Sequence, residues 1–96
     1  MDHDSTCRYA ERTLHAIAVQ RMSPAGWRRY EAAVLGMQLA VDTASWEELR
    51  ATADALATLR VPHHKAHADP GRTEQPPRLH AATMRLAQAL AQLVSG

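Results

Sequence analysis

The fold is decided by residues 23–42, which read SPAGWRRYEAAVLGMQLAVD. Ser23 can accept a hydrogen bond from the first turn of a helix, and Pro24 suits the first helical position because its missing N–H is not needed there. Apolar residues then recur at steps of three and four, which places on one helix face Trp27, Tyr30, Val34, Met37 and Val41. A second apolar row beside this face contains Ala32, Leu35 and Leu39. Two rows on one helix predict contact with two neighbours, or with one neighbour and a partner.

Another helix is predicted immediately after this one. Ser45 and Glu48 have the spacing of a capping box, in which each side chain bonds the backbone N–H of the other residue. The apolar stripe that follows consists of Leu49, Ala53, Leu56 and Leu59, and Pro62 ends the helix. Because the link over residues 42–45 is short, these two helices should form an antiparallel hairpin at the centre of the fold.

A helix before residue 23 is predicted from about Asp4 or Ser5 to Arg21. Its apolar face is poor in large side chains and contains Cys7, Ala10, Leu14, Ile17 and Ala18. We therefore expect it to be the helix that the core holds least firmly. The order of residues 1–6 stays open, with disorder as one alternative.

Residues 62–77 contain four prolines and one glycine and predict a long loop. A last helix then runs from Pro76-Pro77 to about Val94, with an apolar stripe that contains Leu79, Ala82, Thr83, Leu86, Leu90 and Leu93. The sequence thus predicts one all-α domain over residues 1–96. Its expected architecture is a small up-down bundle of three to four helices, with one long loop, containing Pro and His, before the last helix.

Composition and charge exclude several classes of protein. The chain has 96 residues, 11 basic and 10 acidic, and this balance argues against a dedicated nucleic-acid binder. One cysteine excludes an internal disulfide framework and a multi-cysteine zinc module. The polar N-terminus does not resemble a secretory signal, and there is no apolar run of about 18 residues. We expect a cytoplasmic protein that is not embedded in a membrane.

The histidines of the loop are the sharpest candidate for a metal site. His63, His64 and His67 lie close together, with Asp69 two residues further on, and zinc or nickel could use such ligands. The alternative is a solvated loop, because Pro62 and Pro70 disfavour a helix that would align the side chains. A pH sensor is a further alternative, since these imidazoles gain charge near pH 5. On balance we expect no cofactor.

Catalytic residues are not indicated by the sequence. Cys7 has His3 and His15 nearby along the chain, but nothing specifies the oriented base that a nucleophile needs, and the position suits an apolar residue of the first helix. Trp27 and Trp46 are interpreted as packing anchors at the two ends of the hairpin. Since Trp, Tyr and Arg dominate binding hot spots, the alternative is a partner-binding set that contains Trp27, Arg28, Tyr30, Trp46 and Arg78.

From Ser23 to Leu93 the chain resembles the CATRA-associated small protein family. The resemblance rests on the order and spacing of an opening tryptophan, leucine ladders on three helices and a proline pair: Trp27, Tyr30, Val34, Leu35, Leu39, Asp42, Leu49, Ala53, Leu56, Leu59, Pro62, Pro76-Pro77, Leu79, Leu86 and Leu90. The chain departs from the family after Pro62, where His63-His64-Lys65 stands in place of a nearby arginine. The resemblance implies a small helical bacterial protein encoded beside a caspase- or CHAT-like protease that carries TPR-type repeats.

Together these features predict a non-catalytic adaptor or regulator that binds a larger protein. The resemblance implies that this partner is the repeat-bearing protease of a bacterial conflict or defence system. The length of the 62–77 loop suggests separately that it is a substrate or gating segment, because proteases cut long exposed loops. Two alternatives stay open. One is a metal- or pH-responsive module that uses His63, His64 and His67, and the other is a homodimeric helical structural protein.

Overall fold

The computed structural model describes residues 2–60 and 71–95. These residues form four helices: α1 (His3–Ala18), α2 (Pro24–Asp42), α3 (Trp46–Ala57) and α4 (Pro77–Ser95). The prediction of a small all-α bundle is therefore confirmed. Within the described ranges, the one β-type contact is an isolated antiparallel bridge between Met22 and Thr73.

The helix starts follow local hydrogen-bonding chemistry. At α2, the Ser23 hydroxyl accepts from the Gly26 N–H at 3.2 Å and Pro24 is the first helical residue, as the sequence predicts. At α1, the Asp2 carboxylate accepts from the Ser5 N–H at 2.7 Å, and the helix begins at His3. Residues 3–6 thus form the first turn of α1, and Thr6 is already buried. The helix also ends at Ala18, three residues before the predicted end.

The link between α2 and α3 is a Schellman motif, a turn in which two backbone N–H groups close the end of a helix. The Ser45 N–H donates to the Ala40 carbonyl at 2.8 Å, and the Ala44 N–H donates to the Val41 carbonyl at 3.2 Å. Ala44 takes the left-handed conformation that this motif requires, with φ of 53°. Ser45 thus closes α2 and opens α3 at once, with ψ of 93°, and its side chain makes no cap hydrogen bond. The predicted capping box is therefore wrong.

The helices pack in a ring in which α1 and α2 are diagonal to each other. Each of these two helices contacts both α3 and α4, whereas no Cα atom of α1 lies within 8 Å of one in α2, both helices being fully described. The α2–α3 hairpin is present as predicted. Helix α1 runs parallel to α3, as two hydrogen bonds show. The Tyr9 hydroxyl donates to Asp54, and later in both segments the Gln20 amide donates to the Leu59 carbonyl.

Helix α1 packs against two helices despite the small side chains on its apolar face. Its apolar face is fully enclosed between α3 and α4, with Ala10 and Leu14 at zero exposure. The core contains residues of all four helices, among them Ile17, Tyr30, Met37, Leu49, Leu56, Leu86 and Leu90. Small side chains such as Ala10 let helix backbones approach closely, so a small-residue face can be well packed.

Candidate protein-binding surface

The outward face of α2 carries an unpartnered stripe, which we call the α2 outer row: Arg28, Ala32, Leu35, Leu39 and Asp42. All five residues are exposed, and Leu35 and Leu39 keep 64% and 63% of their surface accessible. The row lies opposite the core face of α2, which contains Trp27, Tyr30, Val34 and Met37. The second neighbour that the sequence leaves open for this row is therefore not supplied by the described part of the fold.

The α2 outer row is apolar in the middle and charged at its ends. Arg28 stands towards the start of the helix, and Asp42 is its last residue. The Gln38 side-chain amide donates to the Asp42 carboxylate at 3.0 Å, which orients this carboxylate at the end of the row. A carboxylate at the C-terminal end of a helix meets the negative end of the helix dipole, so a cation placed beside Asp42 would be favourable.

Two of the predicted partner-binding residues belong to the core instead. Trp27 is buried, and its indole N–H donates to the Thr73 carbonyl at 3.0 Å. Tyr30 is fully buried and meets Trp27 edge-on, with 5.3 Å between ring centroids. Both side chains are enclosed in the core in this conformation, which fits the packing interpretation of Trp27. Their assignment to a partner-binding set stays a prediction.

Of the other three predicted partner-binding residues, Trp46 lies beyond the C-terminal end of α2, far from Arg28 and Arg78. Arg28 is part of the α2 outer row, whereas Arg78 of α4 pairs with Glu31 of α2. Trp46 is half-buried and stacks on His3, with 4.5 Å between ring centroids. The predicted set therefore does not form one patch. The residues missed as site residues are Leu35 and Leu39, although their row is visible in the sequence.

A polar network lies inside the apolar interface between α2 and α4. The Tyr30 hydroxyl and the Thr83 hydroxyl are hydrogen-bonded, and both are buried. The Gln75 amide donates to each of them, at 3.0 and 2.8 Å, and its carbonyl meets His80. Burial raises the pKa of Tyr30, and the hydrogen bonds from Thr83 and Gln75 offset part of this effect. The network satisfies a buried hydroxyl and fixes residue 75 against the bundle.

The link between α1 and α2 is hydrogen-bonded to the segment just after α3 and to the segment just before α4. The Gln20 amide donates to the Leu59 carbonyl at 3.0 Å, just after α3. Met22 and Thr73 exchange two backbone hydrogen bonds of 2.9 Å, and the Arg21 guanidinium donates to the Arg72 carbonyl at 3.0 Å. The described end of the predicted 62–77 loop is therefore docked on the bundle, in contrast to a freely solvated loop.

The residues that the sequence offered as a nucleophile, a base or metal ligands do not assemble into a reactive site within the described residues. Cys7 is buried, and burial, with a smaller contribution from Asp4, raises the pKa of its thiol, which disfavours the thiolate that a nucleophile requires. The His3 ring stacks on Trp46. His63, His64 and His67 lie outside the described residues. Over residues 2–60 and 71–95, no group of three or more His, Cys, Asp or Glu side chains could hold a metal ion.

Comparison of the chain with protein-family models, with curated proteins and with solved structures finds no match. The resemblance to the CATRA-associated small protein family therefore stays a prediction. Among the helices of the described ranges, none is long and apolar enough to cross a membrane.

Proposed function

We propose that this chain is a non-catalytic adaptor that binds a larger protein through the α2 outer row. The observation that carries the proposal is the exposure of Leu35 and Leu39 on a helix whose opposite face is locked into the core. Clustered exposed leucines on a rigid helix are typical of a protein-binding surface. In this proposal the chain acts in the cytoplasm without a cofactor, and its partner is the caspase- or CHAT-like protease with helical repeats that the resemblance implies.

The chemistry of the row defines the partner site that would fit it. An apolar groove would receive Leu35 and Leu39, which lie one helical turn apart, and an acidic side chain at the groove's rim would meet Arg28. Burying the exposed part of each leucine contributes about 1–2 kcal/mol. Because α2 is already helical and packed, binding does not have to order it, and little of this gain is lost to conformational entropy.

The first experiment examines the genes that flank this one for a protease with TPR-type repeats. Absence of such a gene would remove the proposed partner class. Where the gene is present, the purified protease is titrated with the full chain in a biolayer interferometry assay.

The double variant Leu35→Glu/Leu39→Glu tests the surface itself. It should weaken binding by roughly 30-fold or more, because two apolar contacts are replaced by charges that must be desolvated. The matched control is Val19→Glu, since Val19 is 84% exposed but lies outside the row. Equal binding by the double variant and the control would rule out the α2 outer row as the docking surface, provided that circular dichroism shows both variants folded.

A further inference from the structure

We propose that, in the absence of a larger partner, the α2 outer row binds the same row of a second copy of this chain, in an antiparallel two-fold dimer. The row is self-complementary about its centre. Arg28 lies seven residues before Leu35, and Asp42 lies seven residues after it. An antiparallel pairing centred on Leu35 therefore places Arg28 of each copy opposite Asp42 of the other, at both ends of the contact.

The spacing of the row matches what helix-on-helix packing requires. Its residues 28, 32, 35, 39 and 42 follow steps of four, three, four and three, the 3.5-residue average that keeps a stripe aligned between two helices. In the centred pairing, Leu35 meets its equivalent across the two-fold axis. Leu39 falls within one residue of Ala32 of the second copy, so a large side chain lies next to a small one and the two helices can approach closely.

Charge selects the antiparallel arrangement over the parallel one. A parallel pairing in the same register would set Arg28 against Arg28 and Asp42 against Asp42, and like charges in contact are unfavourable. The antiparallel pairing replaces both repulsions with ion pairs. It also brings the Arg28 guanidinium of the second copy to Asp42, whose carboxylate stands at the unfavourable end of the α2 dipole.

The dimer should be weak. A stripe along one helix covers less than the total of about 1,200–2,000 Å² that is buried in a standard protein–protein interface. A weak dimer is consistent with the proposed function, because the second copy and a larger partner would occupy the same surface and exclude each other. The inference does not depend on that function, since self-association is measurable with the pure chain alone.

Sedimentation equilibrium of the full chain, from about 10 μM to 1 mM at low ionic strength, provides the first test, because exposed ion pairs weaken as salt rises. The wild-type chain should show a monomer–dimer equilibrium. Arg28→Asp and Asp42→Arg should each weaken dimerisation at least about 10-fold, because each creates two like-charge contacts. The combined variant Arg28→Asp/Asp42→Arg should restore it, because the pairs re-form with exchanged signs.

Disulfide crosslinking provides the second test. Leu35→Cys should form a disulfide between copies under mild oxidation, because residue 35 lies next to its equivalent at the two-fold axis. Gln88→Cys on the exposed surface of α4 is the matched control and should crosslink far more slowly. The native Cys7 is buried and is left in place.

The two tests together have outcomes that would overturn the inference. A chain that stays monomeric at 1 mM and shows no faster crosslinking of Leu35→Cys overturns the dimer. A dimer that the combined charge variant does not restore overturns the antiparallel arrangement. Either result leaves the proposed function intact if the protease binds and Leu35→Glu/Leu39→Glu weakens that binding as expected. A dimer with no protease binding would instead remove the proposed function alone.

Discussion

Gly36 lies where α2 approaches α3 closely, and the effect of a side chain there should depend on Thr52. A Cβ atom added at Gly36 would lie 2.9 Å from Cγ2 of Thr52. The Thr52 side chain cannot simply rotate away, because its hydroxyl bonds the Glu48 and Leu49 carbonyls at 2.9 and 3.0 Å. Gly36→Ala therefore combines a gain in helix propensity of about 1 kcal/mol with an overpacking cost of ~1–3 kcal/mol.

The two contributions separate when the methyl group of Thr52 is removed. In the wild-type background, Gly36→Ala should leave stability unchanged or lower it by up to about 2 kcal/mol, since the overpacking cost exceeds the propensity gain. In a Thr52→Ser background, which keeps the hydroxyl and lacks Cγ2, the same substitution should stabilise by about 1 kcal/mol. Urea unfolding followed at 222 nm for the four proteins gives the coupling free energy, expected at ~1–3 kcal/mol. An equal effect of Gly36→Ala in both backgrounds would refute the packing argument.

Three further substitutions test other parts of the fold. Ala44→Gly should raise the free energy of unfolding by about 1 kcal/mol, because glycine adopts the left-handed conformation without the penalty of a Cβ; a loss of stability would contradict the Schellman assignment. Leu56→Ala should cost ~2–5 kcal/mol in chemical denaturation, whereas the exposed Leu35→Ala should stay within about 0.5 kcal/mol, and similar costs would contradict the burial pattern. Burial raises the pKa of Tyr30 in the folded state, so the stability that depends on its protonated form is present below the ordinary tyrosine pKa of about 10 and is lost as pH rises through the folded pKa. Tyr30→Phe should flatten this alkaline decline in melting temperature, and an unchanged pH profile would show that Tyr30 does not cause it.

The parts of the fold that the sequence predicted are those determined by local chemistry. Ser23 and Pro24 fix the start of α2 through one hydroxyl and one missing N–H, and both contacts involve neighbours in the chain. The capping box at Ser45 failed because the same residue also closes α2, so its backbone angles are set by the preceding helix. The sequence pattern shows the spacing of a cap but not this competing requirement on the backbone.

The importance of α1 could not be read from side-chain size. Its small residues suggested a loosely held helix, whereas Ala10 lies in the middle of the core between α3 and α4. Small side chains contribute by letting backbones approach, and which backbones approach depends on the diagonal arrangement of α1 and α2. That arrangement involves residues far apart in the chain, which periodicity within one helix does not report.

The candidate surface was only partly predictable for a related reason. The row that contains Leu35 and Leu39 follows directly from helical spacing, and the structure leaves it exposed. Residue type pointed instead to Trp27 and Tyr30, because these aromatic residues are common in binding hot spots and equally common in cores. Only the position of α4 and residue 73 against α2 decides that these two rings are buried.

The link between α1 and α2 is hydrogen-bonded to the chain both before and after residues 61–70, and this matters if the chain is cut within that stretch. The Gln20 amide donates to the Leu59 carbonyl, the Arg21 guanidinium donates to the Arg72 carbonyl, and Met22 pairs with Thr73. Three successive residues therefore attach to the chain before and after that stretch. A single peptide bond hydrolysed between these anchor points would yield two fragments that stay associated, because α4 in one fragment completes the core formed by α1, α2 and α3 in the other. Such a nicked protein would co-elute as one species in native chromatography and separate into two bands only under denaturing conditions.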